Sequence, residues 1–170
     1  MARNSSRFLD RLKQDRTFWI VVGVLLLLYV ALQLRAIIPF FISVISLVIA
    51  VTIHEFAHAW VADELGDPTG RLAGRISLNP LVHLDPVGTF MIFLTALTGF
   101  GLGWGKPVPV SPHRLRFGRR RGNALVALAG AAGNLALATA VGLVYRLIVT
   151  RFRVPILLLE ALQGLVITNC

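Results

Sequence analysis

Long apolar runs separated by short polar and basic segments make up this chain. The pattern divides one integral membrane unit, residues 1–170, into segments at 1–16, 17–34, 37–65, 66–122, 123–145 and 154–170. A membrane-spanning helix needs ~20 apolar residues, so three of these runs predict complete spans. The run that starts at residue 154 predicts a last, incomplete span. We therefore predict an all-α polytopic membrane protein with about four transmembrane helices.

The basic residues predict how the chain is oriented in the membrane. Five of them lie in residues 1–16, whereas Arg35 is a single charge in a short turn between the first two runs. The positive-inside rule then places residues 1–16 in the cytoplasm and Arg35 outside, with the second span running inward. His54 follows Ile37 by seventeen residues, or about 25 Å of helix. It is therefore expected in the inner half of the bilayer.

Residues 87–104 form an apolar run that is barely long enough to span and contains four glycines. The next segment, 105–122, is the most basic loop of the chain, and it would lie outside if 87–104 crossed fully. A re-entrant segment that returns to the same side removes this conflict with the positive-inside rule, and we favour it over a full crossing.

The residues after this segment are rich in proline. Three prolines among residues 107–112 exclude a regular helix. The stretch is therefore expected to be extended, and Val108 and Val110 could form an exposed edge.

Composition narrows the class of protein further. The chain is 56% hydrophobic and 15% charged, with a formal net charge of +9. Its basic residues flank the apolar runs, so we expect a lipid bilayer and not nucleic acid as the partner. The single cysteine, Cys170, excludes an intrachain disulfide framework and a cysteine-rich zinc site.

The polar sequence His54-Glu55-Phe56-Ala57-His58 lies near the end of the second apolar run. Histidines four residues apart fall on one face of a helix, where both can bind one zinc ion. Glu55 lies between them and could hold and deprotonate a zinc-bound water. Three ionisable residues inside a membrane segment are costly and need a common partner, for which a divalent metal is favoured. The alternative is a metal-free His–Glu hydrogen-bond cluster.

Six motifs follow one another between about residues 45 and 135. They are His54-Glu55-Phe56-Ala57-His58-Ala59, Gly66-Asp67-Pro68-Thr69, Gly74-Arg75-Ile76-Ser77-Leu78-Asn79-Pro80, His83-Leu84-Asp85-Pro86-Val87-Gly88-Thr89, Gly103-Trp104-Gly105-Lys106-Pro107-Val108-Pro109-Val110 and Ala129-Gly130-Ala131-Ala132-Gly133-Asn134. In content and order they resemble the site-2 proteases, the intramembrane zinc metalloproteases of the peptidase M50 type. The resemblance is to the compact form without an inserted PDZ domain.

The resemblance implies a set of roles for the central motif. His54 and His58 would bind one Zn2+ per chain. Glu55 would act as the general base and then as the proton donor to the leaving amine. The implied activity is hydrolysis of a peptide bond in a transmembrane protein substrate near the cytoplasmic face, in a bacterial inner membrane. The implied role is regulated intramembrane proteolysis.

The resemblance also implies substrate-binding residues. The stretch from Lys106 to Val110, with Val108 in its middle, resembles the family's short membrane-associated β element, which would clamp an unwound substrate by strand addition. Asn134 resembles the asparagine that ends the family's Gly-Pro-x-x-Asn pattern and is a candidate substrate-binding residue. Packing between helices is an equally favoured role for Asn134.

Two features depart from the family pattern. Ala131 stands where the family usually has proline. The family's third zinc ligand is an aspartate in an Asn-Pro-x-x-x-x-Asp-Gly-like motif, which does not occur before Cys170 and is expected beyond it in a truncated C-terminus. His83 or Asp85 could substitute as a ligand, although a structural role is favoured for both.

Two alternative functions are weighed against an intramembrane protease. The missing ligand favours, as the main alternative, an inactive site-2-protease-like membrane protein that binds or regulates a partner. A metal transporter is disfavoured because its ligands would lie on several spans, whereas here they lie on one. The sequence leaves the substrate and the oligomeric state open.

Two local features are also predicted. Asp67-Pro68-Thr69 predicts a turn capped by aspartate, and His113 is expected to be solvated.

Overall fold

A computed structural model of the chain describes residues 16–100, 103–152 and 154–169, apart from the side chains of residues 16, 18 and 33–36. Residues 1–15 of the predicted cytoplasmic segment lie outside this description. The helices are α1 (Arg16–Glu64), α2 (Thr69–Leu72), α3 (Pro86–Thr98), α4 (Gly118–Arg151) and α5 (Ile156–Asn169), with 3-10 turns at Pro80–Val82 and Pro112–Arg114. The predicted helical fold class is confirmed for the described residues.

Two of these helices are long and apolar enough to cross a bilayer, judged by length and composition. They are Trp19–Glu64 within α1 and Gly118–Arg151, which is α4. The helices α3 and α5 are apolar but shorter. The total of four membrane crossings therefore stays a prediction.

The region around Arg35 differs from its predicted conformation. The sequence predicted spans at 17–34 and 37–65 with a turn between them, whereas the structure has helical backbone from Arg16 to Glu64. Leu34, Arg35 and Ala36 are all strong helix formers, and neither glycine nor proline interrupts them. The proline of this helix, Pro39, comes four residues later and removes one backbone donor.

The chain divides into two compact units, Met1–Pro39 and Phe40–Cys170. In the first unit the apolar side chains from Trp19 to Leu32 are largely exposed, as expected for a surface that faces lipid. The second unit contains the histidine motif and all other helices. The two units are described separately below.

Small residues bring the helices of the second unit close together. A Cβ at Gly133 of α4 would lie 2.9 Å from the Cβ of Ala57 in α1. A Cβ at Gly164 of α5 would lie 2.8 Å from a methyl group of Ile42 in α1. Missing side chains at these crossings let the backbones approach, which is a common device in membrane helix packing.

After α3 the chain turns back along the helix that it has just left. The helix ends at Gly99, whose φ of 70° lies in the left-handed region. Farther along, a Cβ at Gly88 would lie 2.0 Å from the carbonyl oxygen of Trp104, and a Cβ at Gly103 would lie 2.3 Å from Ile92. Residues 103–105 thus return to the start of α3. This path suits the predicted re-entrant segment, whose location in a membrane stays a prediction.

The predicted β element at residues 106–110 is wrong as a regular strand. Within the described residues there is no sheet, and the nearest feature is an isolated antiparallel bridge between Leu84 and Gly105. The physical reason is that Pro107 and Pro109 have no N–H and cannot donate to a ladder. The segment 106–110 is irregular, with no helix or strand of its own.

The loop between α1 and α2 is fixed by Asp67. Its buried carboxylate accepts hydrogen bonds from the N–H of Thr69 at 3.2 Å, from the Thr69 hydroxyl and from the N–H of Ser111. Burial raises the pKa of this carboxyl, but the hydrogen bonds from Thr69 and Ser111 and the charge of Arg114 outweigh it and lower the pKa. The predicted aspartate-capped turn is confirmed, and it also anchors the segment before Pro112.

Replacing Asp67 by Asn should destabilise the fold by about 1–3 kcal/mol, the usual cost of a buried donor that loses its acceptor. The amide group of Asn would turn N–H donors towards the donors of Thr69 and Ser111. The free energy of unfolding in detergent, measured with denaturant, checks this. The matched control is Asp85→Asn, because Asp85 caps α3 by accepting from Gly88 and Asn is an equally good N-cap. Equal losses in the two variants would contradict the prediction.

The pH dependence of the free energy of unfolding tests the contribution of the Asp67 carboxyl group independently. The pKa of Asp67 is lower in the folded chain than in the unfolded chain. Such a group stabilises the fold above its unfolded pKa of about 3.9, and this contribution is lost as the pH falls through the folded pKa. Below about pH 5 the parent chain should therefore lose stability more steeply than Asp67→Asn. Parallel pH profiles would show that Asp67 is not responsible.

Candidate metal centre

His54, Glu55 and His58 all lie in the second half of α1, where the four-residue spacing places the two histidines one helical turn apart. Their imidazole rings have centroids 4.6 Å apart and stand nearly perpendicular, at 86°. All three side chains are half-buried. The helix therefore brings two imidazoles together on one face, as the sequence predicted.

Both imidazoles face a position on α4 that has no side chain. A Cβ at Gly130 would lie 2.5 Å from Nε2 of His58 and 2.6 Å from Nε2 of His54. Zinc binds histidine nitrogen at about 2.0–2.1 Å. The two Nε2 atoms thus converge on one small space, which a methyl group at position 130 would fill.

A hydrogen bond from α4 fixes the orientation of one imidazole. Nδ1 of His58 lies 2.6 Å from the carbonyl oxygen of Val126. A carbonyl can only accept, so Nδ1 carries the hydrogen and donates it, and Nε2 keeps its lone pair. Metal-binding histidines commonly have this arrangement, in which an outer partner fixes the tautomer.

Glu55 borders two cavities. One, of about 520 Å3, is lined by Glu55, His58 and Val108 among others. The other, of about 260 Å3, is lined by His54, Glu55 and Asn134 among others. The carboxyl group therefore borders open space next to His58 in one cavity and next to His54 in the other.

The smaller cavity is lined by one buried polar atom that has no described hydrogen-bond partner. Oδ1 of Asn134 is buried and has no hydrogen-bond partner among the described residues. Thr168, near the end of α5, lines the same cavity, and the next residue, Asn169, also has a buried Oδ1 without a described partner. The structure thus places Asn134 beside His54, where an incoming polar group could satisfy its oxygen.

The segment that begins at Gly105 lies against Glu55, where a Cβ at Gly105 would be 2.9 Å from Cγ of Glu55, and hydrogen bonds join the segment to the loop before α3. The N–H of Lys106 donates to the carbonyl of His83 at 2.6 Å. A guanidinium nitrogen of Arg75 donates to the carbonyls of Lys106 at 3.1 Å and Val82 at 2.6 Å. Arg75 is buried, and it lies within electrostatic range of Glu55.

The candidate substrate-binding residues 106, 108 and 110 have different surroundings. Val108 and Val110 line the larger cavity together with Glu55. The side chain of Lys106 is exposed and does not line either of these cavities. The contacts of Lys106 with the loop before α3 are made by its backbone, which the sequence did not indicate.

No third protein ligand completes the histidine pair within the part of the chain that the structure describes. No group of three His, Cys, Asp or Glu side chains there could hold a metal ion. His83 is fully buried, and its Nε2 donates to the carbonyl of Ser77 at 2.7 Å. Asp85 caps α3. Both therefore have the structural roles that the sequence favoured over ligation.

Three contributors to the site have no recognised signal in the sequence. The Val126 carbonyl is a backbone group that any residue could supply. Gly130 belongs to the last of the six motifs, but only the fold shows that it faces both histidines. Arg75 belongs to the third of the six motifs. Its burial depends on the path of the loop between α2 and α3, which the motif does not define.

Comparison with known proteins gives two relatives of similar description. The chain is 44% identical over 95 residues to the protein of Bacillus subtilis (strain 168) named "Putative zinc metalloprotease YwhC", covering 56% of this chain and 41% of that protein. It is 34% identical over 105 residues to "Putative zinc metalloprotease Rip2" of Mycolicibacterium smegmatis (strain ATCC 700084 / mc(2)155), covering 58% of this chain and 39% of that protein. The chain thus matches about two fifths of the length of each relative.

The other two comparisons gave no match. No protein-family model matches the chain, and no solved structure matches it. The two curated relatives nevertheless confirm the resemblance of this chain to zinc metalloproteases of the site-2 type.

Proposed function

We propose that this chain forms the core of an intramembrane zinc metalloendopeptidase. It would hydrolyse a peptide bond of a membrane-embedded protein near the cytoplasmic face of a bacterial inner membrane, as in regulated intramembrane proteolysis. The observation that carries the proposal is the convergence of Nε2 of His54 and His58 beside Gly130, with Glu55 next to them. The names of the two relatives support zinc and protease chemistry.

The two histidines fit a zinc ion in the identity and the placement of their nitrogen donors. Both Nε2 atoms border a space without a side chain, and the hydrogen bond from His58 to Val126 leaves the lone pair of Nε2 free. Zinc bound there would lower the pKa of a bound water and polarise a substrate carbonyl. His54 and His58 are the two protein ligands that we assign to one ion per chain.

Glu55 supplies the acid–base chemistry in this proposal. Its carboxylate accepts the proton of the attacking water and later donates it to the leaving amine. A group with this role must reach both the water and the scissile nitrogen. The position of Glu55 at the border of two cavities suits that requirement.

The substrate must be extended at the cleavage site, because a helix hides its peptide bonds within its own hydrogen bonds. Pro107, Val108 and Val110 line the larger cavity, and the prolines keep this segment from forming a helix. We assign it the role of holding the unwound substrate beside Glu55. Asn134 lines the smaller cavity that Glu55 also borders. We assign it a hydrogen bond to the substrate through its unpaired Oδ1.

A second candidate function is supported by one observation. Two histidines without a third ligand make a poor catalytic zinc site, and the described residues contain no third ligand. A membrane protein that binds or regulates a partner without cleaving it is therefore the alternative. Cleavage measurements on the full-length protein separate the two functions.

Replacing Glu55 by Gln should lower the rate of cleavage of a model transmembrane substrate at least about 100-fold, the usual contribution of a general base. The amide cannot accept the proton of the attacking water. The measurement uses full-length protein reconstituted in liposomes with a tagged substrate, whose fragments are quantified on gels. The matched control is Glu64→Gln, because Glu64 is an exposed carboxylate on the same helix. Cleavage that survives Glu55→Gln would refute the mechanism, and no cleavage by the parent protein would favour the partner-binding function.

Replacing Gly130 by Ala should weaken zinc binding at least about tenfold, because the added methyl group occupies the space between the two Nε2 atoms. Zinc affinity is measured by competition with a chelator. The control is Gly142→Ala in the same helix, whose Cβ would meet only Val166 at an ordinary 3.9 Å. Both changes raise helix propensity equally, so only the position differs. Equal zinc affinity in the two variants would contradict the proposed site.

A further inference from the structure

We propose that the first turns of α4 form a binding site for one anionic phospholipid. Its phosphate group would contact Arg120 and Arg121, and part of an acyl chain would lie in an apolar groove on the same helix. The inference goes beyond the proposed function. It rests on the membrane location of α4 and is independent of zinc binding and of peptide cleavage.

An open apolar groove of about 410 Å3 runs along one face of α4. It is lined by Phe117, Arg121, Ala124, Leu125 and Leu128, which all belong to α4 or to its N-cap. Positions 121, 125 and 128 are three or four residues apart, so their side chains share one face of the helix. Leu125 and Leu128 are exposed, at 44% and 65%. The groove can therefore take an apolar chain from outside the protein.

The rest of the fold packs against a different face of α4. The buried residues of this helix near the groove are Gly122, Val126, Ala129 and Gly130. A Cβ at Gly122 would meet the side chain of Leu115, and one at Gly130 would meet the two histidines. Within the described part of the chain, no segment other than α4 and its N-cap lines the groove.

Three consecutive arginines, Arg119, Arg120 and Arg121, lie in the first turn of α4, and all three are exposed. This turn contains no acidic residue. Among the described residues, the ion pair of the fold joins Arg71 to Asp63, and no carboxylate pairs with the three arginines. Adjacent cations repel one another, and the start of a helix carries a partial positive charge that adds to the repulsion. An anion bound to these arginines would therefore stabilise this turn.

The position of the arginines along α4 fits the level of lipid phosphates. The apolar part of this helix extends from residue 124 to 145, or about 33 Å, which matches a hydrocarbon core of about 30 Å. Arg121 precedes Ala124 by three residues, or about 4.5 Å along the axis. When residues 124–145 fill the hydrocarbon core, the guanidinium groups lie in the headgroup layer.

Two of the three arginines lie at the end of the groove. Arg120 precedes Ala124 by four residues, and Arg121 precedes Leu125 by four, so each lies on the same face as a lining residue. Arg119 is two residues from Arg121 and therefore about 200° away around the helix. The three side chains carry the same charge, but only Arg120 and Arg121 are placed to contact a molecule that lies in the groove.

A phospholipid combines the two chemical groups that this surface can bind. Guanidinium groups bind phosphate oxygens through paired hydrogen bonds, and the apolar stem of Arg121 lines the groove that would take the chain. A soluble phosphate or an acidic peptide would contact the arginines alone and leave the groove exposed. The combination of charge and apolar surface therefore favours an anionic lipid as the ligand.

The first test measures lipid binding to the full-length protein in detergent by native mass spectrometry. Phosphatidylglycerol is the anionic probe, and phosphatidylcholine is the matched probe without net charge. We expect phosphatidylglycerol to bind at least about fivefold more tightly. Arg121→Gln should weaken its binding about fivefold, the usual contribution of one arginine beside anionic lipid. Arg119→Gln removes the same charge from the other side of the helix and should change the Kd less than twofold.

A second pair of variants tests the groove. Leu128→Ser should weaken phosphatidylglycerol binding at least about threefold, because less apolar surface covers the acyl chain. The control is Leu135→Ser, since Leu135 is also exposed on α4 but does not line the groove. Glycerol phosphate, which has no acyl chain, should not displace the bound lipid at equal concentration.

Three results would overturn the proposal. Equal losses in Arg119→Gln and Arg121→Gln would show a general attraction between the basic segment and anionic lipid. Equal affinities for the two lipids would show that the arginines do not bind the headgroup, and equal effects of Leu128→Ser and Leu135→Ser would exclude the groove. None of these measurements needs zinc or cleavage. A protease that cleaves its substrate but fails these tests would retain the proposed function and refute the lipid site.

Discussion

The close approach of α4 to α1 at Gly130 is the contact on which the candidate site depends. Two imidazoles on one helical turn are common, but here both Nε2 atoms face a neighbouring backbone at a position without a side chain. The same helix supplies the carbonyl that orients His58. Gly133, one turn later, also allows close contact, since its Cβ would lie 2.9 Å from that of Ala57. The pair of histidines on α1 therefore becomes a candidate metal site only through the packing of α4.

A second set of contacts constrains Glu55 from the opposite side. Burying a cation such as Arg75 is costly unless its hydrogen-bond donors are satisfied and an opposite charge is near. Two carbonyls accept from its guanidinium, and Glu55 lies within electrostatic range. The same contacts join the loop before α3 to Lys106. Arg75 thus stabilises the loop and holds the proline-rich segment beside the carboxyl group that the proposed chemistry needs.

Local features of this chain were predictable, and features that depend on distant contacts were not. The spacing of His54 and His58 and the turn at Asp67 follow from nearby residues alone, and the structure agrees with both. The predicted turn at Arg35 relied on charge in a membrane pattern, whereas the local helix propensity favours the helix that the structure contains. The strand expected at residues 106–110 failed because proline extends a chain without allowing it to pair.

The roles of Gly130, Val126 and Arg75 could not be predicted for a different reason. A glycine has no side chain to suggest a function, and a backbone carbonyl has no sequence signature at all. Their positions follow from which residues of α1 and α4 face each other, and periodicity gives the face of a helix but not its depth of contact. An arginine in a loop is usually solvated, so the burial of Arg75 depends on the path of the whole loop.

The two sides of Glu55 are held in different ways. The histidine side is fixed by the packing of α4 on α1 and by the hydrogen bond from His58 to Val126, so an ion held between the two imidazoles would need little reorganisation of the protein. On the other side, the proline-rich segment is held by the hydrogen bonds of Lys106 with His83 and Arg75, and the carboxyl group borders a cavity of about 520 Å3. The chemistry proposed for Glu55 needs both conditions, because a general base must be fixed in position and still be open to an incoming ligand.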